Sequence, residues 1–185
     1  MVFVFLADGL AEMEAVTVTE VLRRAGVDTK TVGVTGMTVT GARGMKLEAD
    51  IPLGEISTGA EMIVLPGGLK GVENLSASPG VRSLVEAAFR DETPLGAICA
   101  APMMLSDMGL LKDRTVTCHP SVAERVKQGG AYVLGRPWVR EGTLITGRGP
   151  GASIVFGITL VSALLGEVKA DALSEELLTP WRNPV

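Results

Sequence analysis

The sequence predicts an α/β fold, a three-layer α/β/α sandwich around a mostly parallel sheet. Short continuous apolar runs at Val2–Leu6, Glu61–Leu65 and Leu95–Ile98 lack alternation, as inner strands buried on both faces do. Stretches with helical spacing lie between them, and strands alternating with helices favour parallel pairing through crossovers. No linker, repeat or low-complexity segment interrupts the 185 residues, so positions 1–185 read as one domain.

The first strand, Val2–Leu6, turns through Ala7–Ala11 into a helix over Glu12–Ala25 that Gly26 closes. Thr31–Val34 is the second strand. Gly36–Ala49 reads as a hairpin or extended arm outside the parallel core, bending around Thr40-Gly41, where the glycine can take positive φ. Glu61–Leu65 runs into Pro66-Gly67-Gly68, and Ser78-Pro79 caps and starts the next helix. Leu95–Ile98 leads to Cys99 and a helix ending near Gly109. Thr115–Cys118 is a short strand before His119-Pro120, where a helix begins that stops at Gly129-Gly130. Ala131–Val133, Val139 and Leu144–Thr146 supply the remaining strands. An apolar helix over Gly151–Gly166, a last helix over Lys169–Leu178 and a polar tail over Trp181–Val185 complete the chain.

Hydrophobic residues make up 46% of the chain, a globular rather than disordered composition. Seventeen Lys+Arg stand against 21 Asp+Glu, mixed in sign, so no basic footprint points to specific nucleic-acid binding. The two cysteines cannot build a disulfide framework. The apolar start reaches Asp8 too early for a signal peptide, and Gly151–Gly166 is too short and too interrupted by Ser153, Thr159 and Ser162 to span a membrane. A cytoplasmic setting without a membrane partner is the expectation.

Open α/β sheets bind ligands at the carboxyl ends of their strands. That places Asp8–Glu14, Gly67 and Gly68, Cys99, and His119 on one edge. Cys99 near a helix N-terminus is either a reactive thiol with a lowered pKa or a small buried hydrophobe. Gly67 and Gly68 either aim N–H groups at an oxyanion or make a tight turn. Glu14 or Glu12 can reach the edge, and a carboxylate beside a thiolate should have a raised pKa and share its proton. His119, the only histidine, is either a base or proton shuttle or a helix cap. Cys118 suits core packing better than the role of resolving thiol. Arg43 and Arg148, near glycine-rich bends, either neutralise a substrate anion or pin the backbone. One histidine and two cysteines are too few for a zinc site, and neither GxGxxG nor a P-loop follows a strand.

The segments ADGLAEMEAV (7–16), RRAG (23–26), VLPGG (64–68), AICAAPMML (97–105), CHP (118–120) and RGPGAS (148–153) run in order over nearly the whole chain. Together they resemble the ThiJ/PfpI superfamily, most closely the branch around the parkinsonism-associated protein deglycase and bacterial YajL. The resemblance implies a flavodoxin-like sandwich that forms a homodimer. It implies a nucleophilic, oxidation-prone Cys99, a protonated Glu14 (rather than Glu12) donating to it, and backbone donors Gly67, Gly68 and Ala100, with His119 nearby. It implies no metal, nucleotide or glutathione cofactor.

The implied function is a cysteine-dependent enzyme of protein deglycase or glutathione-independent glyoxalase type, acting on small reactive carbonyls or glycated groups. The alternative is a non-enzymatic oxidative-stress sensor or redox-regulated chaperone using Cys99. Thiazole or amide metabolism is suggested only by names such proteins receive. Four positions depart from the pattern: Ala101 replaces a glycine, Cys118 a threonine and Ala11 an acidic residue. Ala100 stands where a protease-like branch has histidine, which argues against peptidase activity.

Overall fold

A computed structural model describes residues 1–56 and 59–182. Seven strands form the central sheet in the order β10-β11-β7-β6-β1-β2-β5. They are β1 (Val2–Leu6), β2 (Thr29–Gly33), β5 (Ile51–Pro52), β6 (Met62–Leu65), β7 (Leu95–Ile98), β10 (Trp138–Glu141) and β11 (Leu144–Gly147). All neighbours pair in parallel except β10 and β11. Every residue of β1, β6, β7 and β11 is buried, which is why the inner strands read as unbroken apolar runs.

The helices are α1 (Glu12–Arg24), α2 (Leu69–Ala77), α3 (Pro79–Arg90), α4 (Ala101–Asp107), α5 (Ala123–Gln128), α6 (Ser153–Leu165) and α7 (Glu167–Glu176). Helix α6 packs on α1, α7, β7, β10 and β11, while α3 packs on β6, β7 and α2. Two strand glycines shape the groove that receives α6. A Cβ on Gly96 would meet Phe156 Cζ at 3.2 Å, and one on Gly147 would meet Phe156 Cδ2 at 2.9 Å. The ring is fully buried there, which stabilises the sandwich by about 1.5–3 kcal/mol. Gly157 similarly lets α6 approach α1, where an added Cβ would lie 2.9 Å from Val21 Cγ1.

Several expectations need correction. Strands β3 (Thr38–Thr40) and β4 (Lys46–Glu48) form the hairpin outside the main sheet, but Gly44, at φ 85°, takes the left-handed conformation in place of Gly41. Gly41 is needed because a Cβ would collide with Glu12 Cδ at 2.2 Å. Helix α2 fills a stretch that carried no predicted element. Thr115–Cys118 shrinks to β8 (Thr115–Val116), which pairs with β9 (Tyr132–Val133) in a separate two-stranded parallel sheet. His119 therefore does not follow a strand of the main sheet. The last helix begins two residues earlier than predicted, and residues 183–185 of the predicted tail lie outside the described residues. Among the described residues no helix is long and apolar enough to cross a membrane.

Candidate active site

Strands β1, β6 and β7 are neighbours, so the segments that follow them meet at one end of the sheet. After β7 the chain turns sharply. Cys99 has φ 64°, the left-handed region, which costs a non-glycine residue about 1–2 kcal/mol. Bonds on both sides hold it there: Cys99 N–H donates to the Gly147 carbonyl at 2.9 Å, and the Cys99 carbonyl accepts from His119 N–H at 2.8 Å. The turn lifts the side chain off the sheet at the start of α4, where Pro102 occupies the first turn without loss of a hydrogen bond. Ala100 and Ala101 are both buried beside it.

Glu14 lies underneath, fully buried in α1. Its Oε2 accepts the Gly67 N–H at 2.7 Å, and its Oε1 is buried without a hydrogen-bond partner. This corrects one expectation: the Gly67 amide is used on Glu14 and is removed from the set aimed at the sulfur. The glycine itself is dictated by crowding, since a Cβ would stand 2.5 Å from Cys99 Cβ and 2.6 Å from Glu14 Oε2. Gly68 has φ 90° and precedes α2, pressed so close to the Gly9–Ala11 turn that a Cβ would lie 2.4 Å from the Gly9 carbonyl oxygen.

Burial raises the Glu14 pKa, and the nearby Cys99 thiol and the Gly67 N–H offset only part of that. Burial, then the charge of Glu14 and its hydrogen bond, push the Cys99 thiol up to about 12, while the Gly68 and Ala100 N–H groups pull it down. The expected lowering of the thiol pKa by the helix end is thus outweighed, and the net shift is upward. The thiol and carboxyl titrate as a pair that resists losing its last proton.

The other expected residues divide. Glu12 lines the same cleft as Cys99 but accepts N–H from Arg43 at 2.7 Å and Met45 at 3.3 Å, tying the β3–β4 hairpin to α1. Burial pushes its carboxyl up, but the backbone donors and the Arg43 charge outweigh that and leave its pKa lowered. His119 lines the same cleft as Cys99, yet its Nδ1 accepts the Ser121 N–H at 3.2 Å and lies 2.8 Å from Ser121 Oγ. The ring thus caps the short 3₁₀ turn Pro120–Val122, and among the described residues no hydrogen bond joins it to Cys99. Cys118 is buried, and burial pushes its thiol up to about 11. Arg148 pins the backbone by donating from Nη1 to the Gly135 carbonyl at 2.7 Å.

The cleft has a volume of about 600 Å³ and is lined by Gly68, Cys99, His119, Ser121, Arg43 and Lys70, among others. Sequence reasoning missed Lys70 and Ser121. A serine two residues after the histidine, at the start of a turn, was the available signal for the cap. Lys70 had none, because α2 was not recognised.

Residues 1–163 match the DJ-1/PfpI family. Protein DJ-1 homolog A of Arabidopsis thaliana is 36% identical over 180 residues, which is 96% of this chain but 46% of that protein. The chain thus spans about half of that relative's length. The glutathione-independent glyoxalase DJR-1.2 of Caenorhabditis elegans is 30% identical over 167 residues, 90% of this chain and 89% of the relative. The crystal structure of Drosophila melanogaster DJ-1beta superposes with a TM-score of 0.93 at 32% identity, covering 97% of both chains.

Proposed function

The chain belongs to the DJ-1/PfpI family, and from that premise we propose that it is a cysteine-dependent enzyme acting on small reactive carbonyls or their adducts. The observation that carries this reading is the left-handed Cys99 with a buried, partnerless Glu14 oxygen beneath it. An ionised Glu14 leaves Oε1 unsatisfied, whereas a proton on Oε1 makes the carboxyl a donor toward sulfur and lets the Gly68 and Ala100 amides stabilise the thiolate.

With a 2-oxoaldehyde, Cys99 Sγ adds to the aldehyde carbon and a hemithioacetal forms. The new oxyanion takes up the proton carried by Glu14, which becomes a carboxylate, while the Gly68 and Ala100 N–H groups hold the oxygen by hydrogen bonds. Glu14, as carboxylate, removes the hydrogen on that carbon as a proton and returns it to the neighbouring carbon, leaving a thioester. Water then breaks the C–S bond, releases a 2-hydroxy acid and restores the thiol. The net reaction adds one water to the oxoaldehyde and needs no external oxidant. From a glycated amine or thiol, the C–N or C–S bond of the adduct breaks first, the amine or thiol leaves with the hydroxyl proton, and the aldehyde so regenerated enters the same steps. The C. elegans relative, named a glutathione-independent glyoxalase, supports this chemistry.

A homodimer fits the outward face of α1, where Met13 and Val16 are 62% and 47% exposed one turn apart. The test of function is methylglyoxal consumption and lactate formation by wild type and C99S. Loss of turnover in C99S supports the proposal; equal rates after buffer and free-thiol controls would sink it.

The donors that suit an oxyanion also suit an oxidised sulfur, which favours a second reading as redox sensor or redox-regulated chaperone. Intact mass after mild peroxide separates the two. A stable gain of two oxygens at Cys99, with no dicarbonyl turnover, selects sensing.

A further inference from the structure

Resting on the carbonyl-enzyme reading, we propose that the preferred substrate carries an anionic group, carboxylate or phosphate, seated between Arg43 and Lys70 while its carbonyl faces Cys99. A cleft of about 600 Å³ lies in the range of ~300–1,000 Å³ that accepts drug-sized ligands, far more than a three-carbon dicarbonyl fills. Among mostly neutral lining residues, two are cationic, Arg43 and Lys70. Arg43 enters from the hairpin and Lys70 from the first turn of α2.

Each cation is placed by the fold and left available. Glu12 holds the Arg43 main chain through its N–H, while among the described residues the guanidinium donates only to the neighbouring Ala42 carbonyl at 3.3 Å. The Lys70 stem packs against Gly9, whose added Cβ would lie 2.5 Å from Lys70 Cβ. Asn74 Nδ2 donates to the Asp8 carbonyl at 2.8 Å and fixes α2 on that turn. Among the described residues Lys70 Nζ pairs with Glu73 alone, at 3.3 Å, an exposed i,i+3 pair of the kind that contributes little and is easily exchanged. Helix α2 has no acidic residue in its first turn and no side-chain cap, so its N-terminal amides add to the positive field. Among the described lining residues the carboxylate is Glu12, which already accepts two backbone N–H groups and also faces the Arg43 charge.

Two measurements test this without depending on each other. The first compares alkylation of Cys99 by anionic iodoacetate and neutral iodoacetamide, which needs no turnover. The iodoacetate-to-iodoacetamide rate ratio should fall about fivefold in Lys70→Gln and in Arg43→Gln, and stay put in Lys169→Gln on α7; a charge-assisted contact has this weight. The second compares kcat/KM for methylglyoxal, dioxovalerate and hydroxypyruvaldehyde phosphate. The anionic compounds should be favoured about tenfold in wild type, with the preference lost through KM in the Gln variants. Whichever anion gains more identifies the group. Unchanged alkylation ratios in both Gln variants would overturn the proposal even if C99S abolishes turnover. Changed ratios with full turnover in C99S would leave the anion site standing and remove the carbonyl chemistry.

Discussion

Gly67 donates its N–H to Glu14 Oε2 at 2.7 Å, in a space where a single added methyl would touch both the carboxylate and Cys99. That bond fixes one carboxyl oxygen and leaves the other without a hydrogen-bond partner among the described residues. Gly67→Ala should therefore cost about 1–3 kcal/mol of stability, as overpacking does, and slow Cys99 alkylation more than tenfold. Urea denaturation and timed alkylation of the same protein check the two effects together.

Glu14→Gln preserves shape but cannot carry the substrate proton. Turnover of methylglyoxal should fall by about 10²–10⁴-fold, the range of a lost general acid–base group. Alkylation of Cys99 by iodoacetamide should persist, because the carboxylate that repels the thiolate is gone and Gly68 and Ala100 still donate. Parallel loss of both would mean that Glu14 holds the site together rather than moving protons.

The pair also sets an alkaline limit on stability. The unfolded Cys99 thiol ionises near 9.0 and the folded one near about 12, so the folded chain keeps a proton that the unfolded chain releases. Stability then falls as pH rises through that window. C99S should flatten the decline, leaving the smaller part that Cys118 contributes between 9.0 and about 11. Urea midpoints measured across pH 9.0–12 for the two proteins give the comparison.

Gly157→Ala tests the packing of α6 on α1. An exposed helix position would gain up to about 1 kcal/mol from this change. Here the methyl lies 2.9 Å from Val21 Cγ1, so the variant should lose about 1–3 kcal/mol. Adding Val21→Ala should recover part of the loss in a double-mutant cycle.

How much of this was legible follows from what each residue's surroundings demand. Val2–Leu6 and Leu95–Ile98 appear in the structure with the bounds read from sequence, because burial on both faces leaves an uninterrupted apolar run. Ser78 caps α3 as expected, accepting from Val81 N–H. Helix α2 was invisible because Gly67-Gly68-Leu69-Lys70-Gly71 looks like a loop, and Gly71 is small only so that the helix can lie on Leu10, 2.7 Å from an added Cβ. Strands of two residues, β5, β8 and β9, carry too little pattern to register.

At the site, the residue types were readable and their directions were not. Glu12 and Glu14 are two apart, and helical spacing cannot say which faces the thiol; the crowding at Gly41 and Gly67 decides it. Which amide points at which acceptor depends on backbone orientation, so the use of Gly67 on Glu14 left no trace in the sequence. His119 carried two readings, and the Ser121 N–H on its Nδ1 realises the cap.

The most direct measurement is peptide mapping after acid quench of wild type and Glu14→Gln mixed with methylglyoxal. The account predicts a methylglyoxal-derived mass on the peptide containing Cys99, accumulating in Glu14→Gln because the proton transfer that consumes the adduct is blocked. Turnover with no adduct at Cys99 in either protein, or an adduct on Cys118 instead, would contradict it.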